Sequence, residues 1–339
     1  MSHTKRKYYL DILRIFACLL VIMMHSPSPY TVGQPSSFFC SGISYFTAPC
    51  IGLFFMVSGA LLLPSNLSTG QFIKKRLGRV LCPTIFWSIT YIAMYQCVNG
   101  GGYNYLMKSL LSIPFSAQGT GVMWFMYTLI GFYLIIPIIS PWLNQAGKKE
   151  SAFYILLFLI STLYPFLQPV VSLDSSTSNI LYYFASYGGY FILGWYMVRY
   201  GLQIRLRYLL FAYMITLALP AAFLLNGNRE HFWQMINYLS LPVVIMAIFW
   251  FATGQKLSGF FDKMSARIKS IIALMSQLSF GVYLIHIAVM RYFIWNQSII
   301  INIPSHIAQT LIIFTLTTLI STLIVWLISK LPFAKYIIG

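Results

Sequence analysis

The sequence predicts an all-α polytopic membrane protein, with about ten transmembrane helices and both termini in the cytoplasm. Three observations predict it. Of 339 residues, 59% are hydrophobic and only 8% are charged, whereas soluble domains carry roughly 25% charged residues. Apolar stretches of about 20 residues, the length needed to cross the hydrocarbon core, recur along the whole chain. Finally, Lys and Arg gather in alternate connections between those stretches.

The spans follow in order. The first, 8–25, starts directly after Lys5-Arg6-Lys7; it is too long for the apolar part of a typical signal peptide and has no cleavage motif, so it reads as a retained anchor. The second covers 43–63. The third, 80–98, follows the cluster Lys74-Lys75-Arg76 and Arg79, and the fourth covers 122–143. The fifth, 151–171, follows Lys148-Lys149; the sixth, 180–198, stops before Arg199. The seventh, 206–225, and the eighth, 232–253, lie between the basic groups at Arg205 and Lys256. The ninth, 271–292, follows Arg267 and Lys269, and the tenth, 305–329, stops at Lys330. No repeat or low-complexity tract interrupts them, and 1–339 reads as a single integral-membrane domain.

With the N-terminus inside, eighteen of the 22 Lys and Arg residues fall in cytoplasmic connections; only Lys108, Arg229 and Arg291 fall outside, and Arg14 lies in the membrane. Such asymmetry sets orientation, and an invented or omitted helix would scramble it. The same pattern explains the formal charge of +17 without nucleic acid, since the basic residues are spread over loops and form no binding module. The dense cluster Lys74-Lys75-Arg76…Arg79 stands apart: it suits a phosphate-bearing ligand, or a role in insertion and lipid-headgroup contact.

Arg14 and His25 sit inside the otherwise apolar first span. Ionisable groups at membrane depth are costly and mark function by default. Eleven residues advance a helix by about 16 Å and about three turns, so a cation in the inner half and an imidazole near the outer end share one face. Asp11, one turn below Arg14, reads as its ion-pair partner, which lowers the cost of holding the cation there. His286 is expected about two thirds of the way across the ninth span, so the two imidazoles could share one outer cavity.

Other chemistries lack residues. There are five acidic side chains and five histidines; none but Asp11 is placed for a serine triad, and no set has metal-ligand spacing, so no metal is expected. The five cysteines show no C-x-x-C. The longest outer connections, 26–42 and 99–121, are rich in Ser, Pro and Gly and nearly uncharged, which suits a sugar more than an ion.

The residues carry a resemblance. Tyr9 to His25, with an Arg, ten residues and a His, resembles the opening helix of the membrane acyltransferase family 3. Gly52-Leu-Phe-Phe-Met-Val-Ser58-Gly59 is similar to its second helix, with Ala60 where an aromatic is usual. Arg76-Leu-Gly-Arg79 resembles its Arg-x-x-Arg element, Met123-Trp-Phe to Pro137 its Leu-Trp-Phe stretch, and Ser279-Phe-Gly-Val-Tyr-Leu-Ile-His286 its closing element. The ordered set covers nearly the whole chain. Without an added soluble domain, the chain resembles stand-alone members that O-acetylate bacterial surface polysaccharides or their lipid-linked precursors.

The resemblance implies the following expectations. Acetyl-CoA is the donor, with no permanently bound cofactor, and its phosphates rest on Lys75, Arg76 and Arg79. Its pantetheine arm passes Arg14 and brings the acetyl group toward His25, which deprotonates a sugar hydroxyl or carries the acetyl itself. His286, Asp11 and Ser58 support the substrates. The expected partners are a glycan or lipid-linked sugar and membrane lipids, and the expected location is the bacterial inner membrane. A flippase or exporter of lipid-linked sugars is the alternative, though an exporter needs no coenzyme A cradle.

Overall fold

The structure, a computed structural model, describes residues 6–29, 37–117, 120–171, 178–202, 204–227 and 229–339. Lys5 and the stretch 30–36 of the expected outer connection lie outside the described residues. The helices are α1 (Tyr8–His25), α2 (Ser37–Thr47), α3 (Pro49–Leu62), α4 (Thr69–Asn99), α5 (Tyr103–Ser112), α6 (Trp124–Gln145), α7 (Lys148–Ser161), α8 (Tyr164–Val171), α9 (Gly188–Tyr200), α10 (Leu206–Leu225), α11 (Arg229–Met235), α12 (Leu241–Lys256), α13 (Ser258–Lys263), α14 (Ala266–Val289), α15 (Ser298–Ile301) and α16 (His306–Ile328). A π-helical turn, Met290–Ile294, continues α14.

Among the described residues, seven helical stretches are long and apolar enough to cross a membrane: α1, Phe38–Leu62, α4, α6, α10, Ala266–Ile294 and α16. The chain is a multi-pass membrane protein, and the regular elements among its described residues are all helical. The other three expected spans appear as shorter helices. At 1.5 Å per residue, the 13 residues of α9 and the 16 of α12 reach about 20 and 24 Å, short of the ~30 Å hydrocarbon core.

The expected fifth span is divided into α7 and α8. Ser161 and Thr162 turn their hydroxyls back onto the carbonyls of Phe158 and Leu159, an alternative to the helical ladder. The Thr162 carbonyl instead accepts the Leu241 N–H at the start of α12.

By its internal contacts the chain divides into two compact units. The first holds Met1–Pro27, Gly33–Leu63 and Gln145–Gln277; the second holds Ser28–Val32, Pro64–Asn144 and Leu278–Gly339. The first is built on α3 packed against α9, with α1 lying on α3 and α12. Gly59 and Gly194 make that crossing possible: a Cβ at Gly59 would run into the Phe191 carbonyl, and one at Gly194 into the Met56 carbonyl. Small residues that let backbones meet are the usual device for joining helices in lipid, where Leu gains little from leaving the acyl chains. Around this crossing Tyr9 packs edge-on against Phe251, and Phe16 against Trp250.

In the second unit, Gly281 of α14 faces Val325 of α16 closely, Phe72 meets Tyr133, and Trp87 Nε1 donates to the Ile337 carbonyl at 2.9 Å. Helix α4 starts at Thr69, well before the expected position 80. Ser68 accepts from Gln71 N–H while the Gln71 side chain accepts from Ser68 N–H, a capping box that satisfies two otherwise orphaned donors. Its 31 residues reach about 46 Å, so the helix extends beyond a hydrocarbon core and carries the basic cluster on its first turns. The expected outer connection 99–121 likewise contains a helix, α5.

Candidate active site

In the first unit, α1 runs without a break from Tyr8 to His25, so Arg14 and His25 stand about 16 Å apart along one axis with nearly the same angular position. Below Arg14 lies a polar chain. Asp11, buried at 9% exposure, accepts two hydrogen bonds from Arg6: Nε to Oδ2 at 2.6 Å and Nη2 to Oδ1 at 3.0 Å. Ser276 Oγ donates to Asp11 Oδ1 at 2.7 Å and in turn accepts from Arg14 Nη1 at 3.5 Å.

Sequence reasoning paired Asp11 with Arg14 directly; the fork that grips its carboxylate comes from Arg6, and Ser276 links it to Arg14. The hydrogen bonds to Asp11 raise the Arg6 guanidinium above its ordinary pKa, so Arg6 stays charged at any physiological pH. Two guanidiniums around one carboxylate leave the cluster positive, and it can attract an anionic group to the lower half of α1. Arg6 also lines a cavity of about 370 Å³ together with Lys7, Tyr9, Gln255, Ser258 and Asp262.

At the other end of α1, Tyr238 donates its hydroxyl to Met24 Sδ at 3.1 Å, and Tyr190 donates to the Tyr238 carbonyl at 2.6 Å. These bonds pin the connection before α12 beside the turn that carries His25. Ser26 Oγ donates back to the Ile22 carbonyl at 2.7 Å, which closes the helix end. His25 is half-buried. Ser58 lies on α3 beside Gly59, half-buried; its neighbour serves the α3–α9 crossing, so this motif contributes packing at the least.

The second unit holds the other candidates. Lys75, Arg76 and Arg79, spaced three and four apart, fall on one face of α4. Lys75 and Arg79 are exposed and Arg76 is half-buried; among the described residues, Arg76 Nε is buried without a hydrogen-bond partner. A guanidinium donor held out of water and unsatisfied is ready for an oxyanion. His286 is buried at 1% exposure, with its ring 5.6 Å from that of Tyr283 and its Nδ1 on the Tyr283 carbonyl. A carbonyl only accepts, so Nδ1 carries the proton, and in the neutral ring Nε2 bears the lone pair. Arg6, Ser276 and Tyr238 are the polar residues that sequence reasoning missed, because each acts through partners distant in the chain or outside the apolar run.

The family model described as an acyltransferase domain, that of acyltransferase family 3, matches residues 7–330. The chain is also similar to Nodulation protein 10 of Rhizobium leguminosarum bv. viciae, 26% identical over 158 residues; the match covers 38% of this chain and 43% of that protein, less than half of either. No solved structure matches the chain. With the family model covering nearly all of a multi-helix membrane chain, this protein belongs to the acyltransferase-3 family of membrane acyltransferases.

Proposed function

We propose that this protein is an O-acetyltransferase of the bacterial inner membrane, which moves an acetyl group from cytoplasmic acetyl-CoA to a sugar hydroxyl of a surface polysaccharide or its lipid-linked precursor. The observation that carries the reading is the unbroken α1 helix, with a guanidinium at Arg14 and an imidazole at His25 on one face.

In the first unit, His25 is the base. It takes the proton from the sugar hydroxyl as the oxygen attacks the thioester carbonyl; the new C–O bond forms, the C–S bond breaks, and the coenzyme A thiolate leaves and takes up a proton. In the alternative route the imidazole first accepts the acetyl group as an acyl-imidazole and then passes it to the sugar. Arg14, kept in place by Ser276 and Asp11, offers positive charge to an anionic or polarised part of the donor. In the second unit, the Lys75, Arg76 and Arg79 face of α4 binds donor phosphates, which the unsatisfied Arg76 Nε supports. His286 is a supporting group for the substrates.

The test is to supply membranes containing the protein with acetyl-labelled coenzyme A and candidate glycans. Label appearing in a glycan only when the protein is present supports the reading. Glycan that crosses the membrane without gaining label overturns it in favour of an exporter.

A further inference from the structure

In the second unit, one rung of the α14 ladder is shared with a side chain from another helix. Tyr91 of α4, buried at 6% exposure, donates its hydroxyl to the Leu284 carbonyl at 2.8 Å and accepts from the Ala288 N–H at 3.3 Å. Leu284 and Ala288 stand four apart, so they are the natural partners of one α-helical hydrogen bond, and the phenol bridges both. His286 lies inside that rung. One residue beyond Val289 the helix changes to π geometry, with Trp295 N–H on the Met290 carbonyl at 2.8 Å.

A side chain entering the ladder is a recognised cause of local helix deformation, and π turns are frequent at functional sites. The ring of His286 is fixed on its other side by the Tyr283 carbonyl. Both the backbone that carries His286 and the tautomer it presents are thus determined within one turn of α14, and Tyr91 is the part of that arrangement contributed from outside the helix.

We propose that Tyr91 is a positioning residue: by sharing the Leu284–Ala288 rung, its hydroxyl sets the orientation of His286 and the start of the π turn. The inference rests on the supporting role given to His286 above. Removing the hydroxyl lets Leu284 and Ala288 bond to each other alone, so the segment 284–294 relaxes toward regular helix while the fold stays intact.

The experiment uses full-length Tyr91→Phe, His286→Ala and the double variant. Hydrogen exchange of the purified protein reads the geometry without any activity: protection in 284–294 changes several-fold in Tyr91→Phe, while 266–277 keeps the parental rate. Acetyl transfer reads the consequence: the turnover rate falls about ten- to hundredfold, as for a small misplacement of a substrate-facing group, with KM for acetyl-CoA unchanged. In the His286→Ala background the second substitution adds less than twofold, because both act through one group. Unchanged exchange in 284–294 overturns the inference even where transfer is seen, and so do losses that multiply fully or a His286→Ala variant as active as the parent. A parent without transfer activity refutes the proposed function instead, and the exchange arm still decides the structural role of Tyr91.

Discussion

Gly194→Ala tests whether the α3–α9 crossing holds the first unit together. The added methyl points at the Met56 carbonyl, which is backbone and cannot rotate away. A carbon normally approaches a carbonyl oxygen to about 3.3 Å, so the helices must separate by roughly 1 Å. Such a gap forfeits a quarter to a half of each dispersion contact of about 0.1–0.2 kcal/mol. With roughly 50 atom pairs across the crossing, the loss is about 2–3 kcal/mol, in the usual range for overpacking. For a chain of this size that lowers the melting temperature by about 3–4 °C, measured on protein purified in detergent. Gly131→Ala on α6 and Gly78→Ala on α4 are controls, because a Cβ at either meets nothing within 4 Å and removing a helix-interior Gly gains about 0.5–1 kcal/mol. Gly59→Ala combined with Gly194→Ala should cost less than the sum, since the helices need separate only once. A Gly194→Ala protein that melts no lower than Gly131→Ala refutes the close-packing argument.

Three further outcomes follow from the site. Arg6→Ala removes the fork on Asp11; because the Arg6 side chain is 42% exposed, solvent screening limits the loss to about 1 kcal/mol, and the difference in melting temperature from the parent narrows as salt is raised. Arg76→Ala and Arg79→Ala each raise KM for acetyl-CoA by about tenfold, the loss of one charge-assisted contact, and leave KM for the glycan nearly unchanged; equal losses for both substrates assign the cluster to folding. Ser68→Ala costs about 1 kcal/mol at the start of α4 and speeds hydrogen exchange over 69–76, whereas an unchanged rate there removes the capping box as the reason the helix begins so early.

The first helix was legible in the sequence because its apolar run and its two ionisable residues are local. Helix α4 was only partly legible: its basic residues read as connection, and the Ser68-x-x-Gln71 pattern that starts the helix lies before the apolar run. The shortness of α9 and α12 was hidden by hydropathy, which sees flanking apolar residues as part of a span even where hydrogen bonds such as that from Leu241 N–H to the Thr162 carbonyl end the helix. The partners of Asp11 were out of reach for two different reasons. Arg6 precedes the apolar run and looks like a positive-inside residue, and Ser276 is 265 residues away. The Gly59 and Gly194 crossing is equally distant in the chain, and neither glycine alone differs from others that meet nothing.

The central claim is that the imidazole at the end of α1 performs acyl transfer. Its most direct measurement is the initial rate at which label passes from acetyl-CoA to glycan in membranes containing His25→Ala, at expression and melting temperature matched to the parent. Loss of a general base predicts a fall of about a hundredfold or more, and Arg14→Ala should show a large loss as well. A His25→Ala rate within twofold of the parent contradicts the account, because no reacting proton or acyl group then passes through that residue.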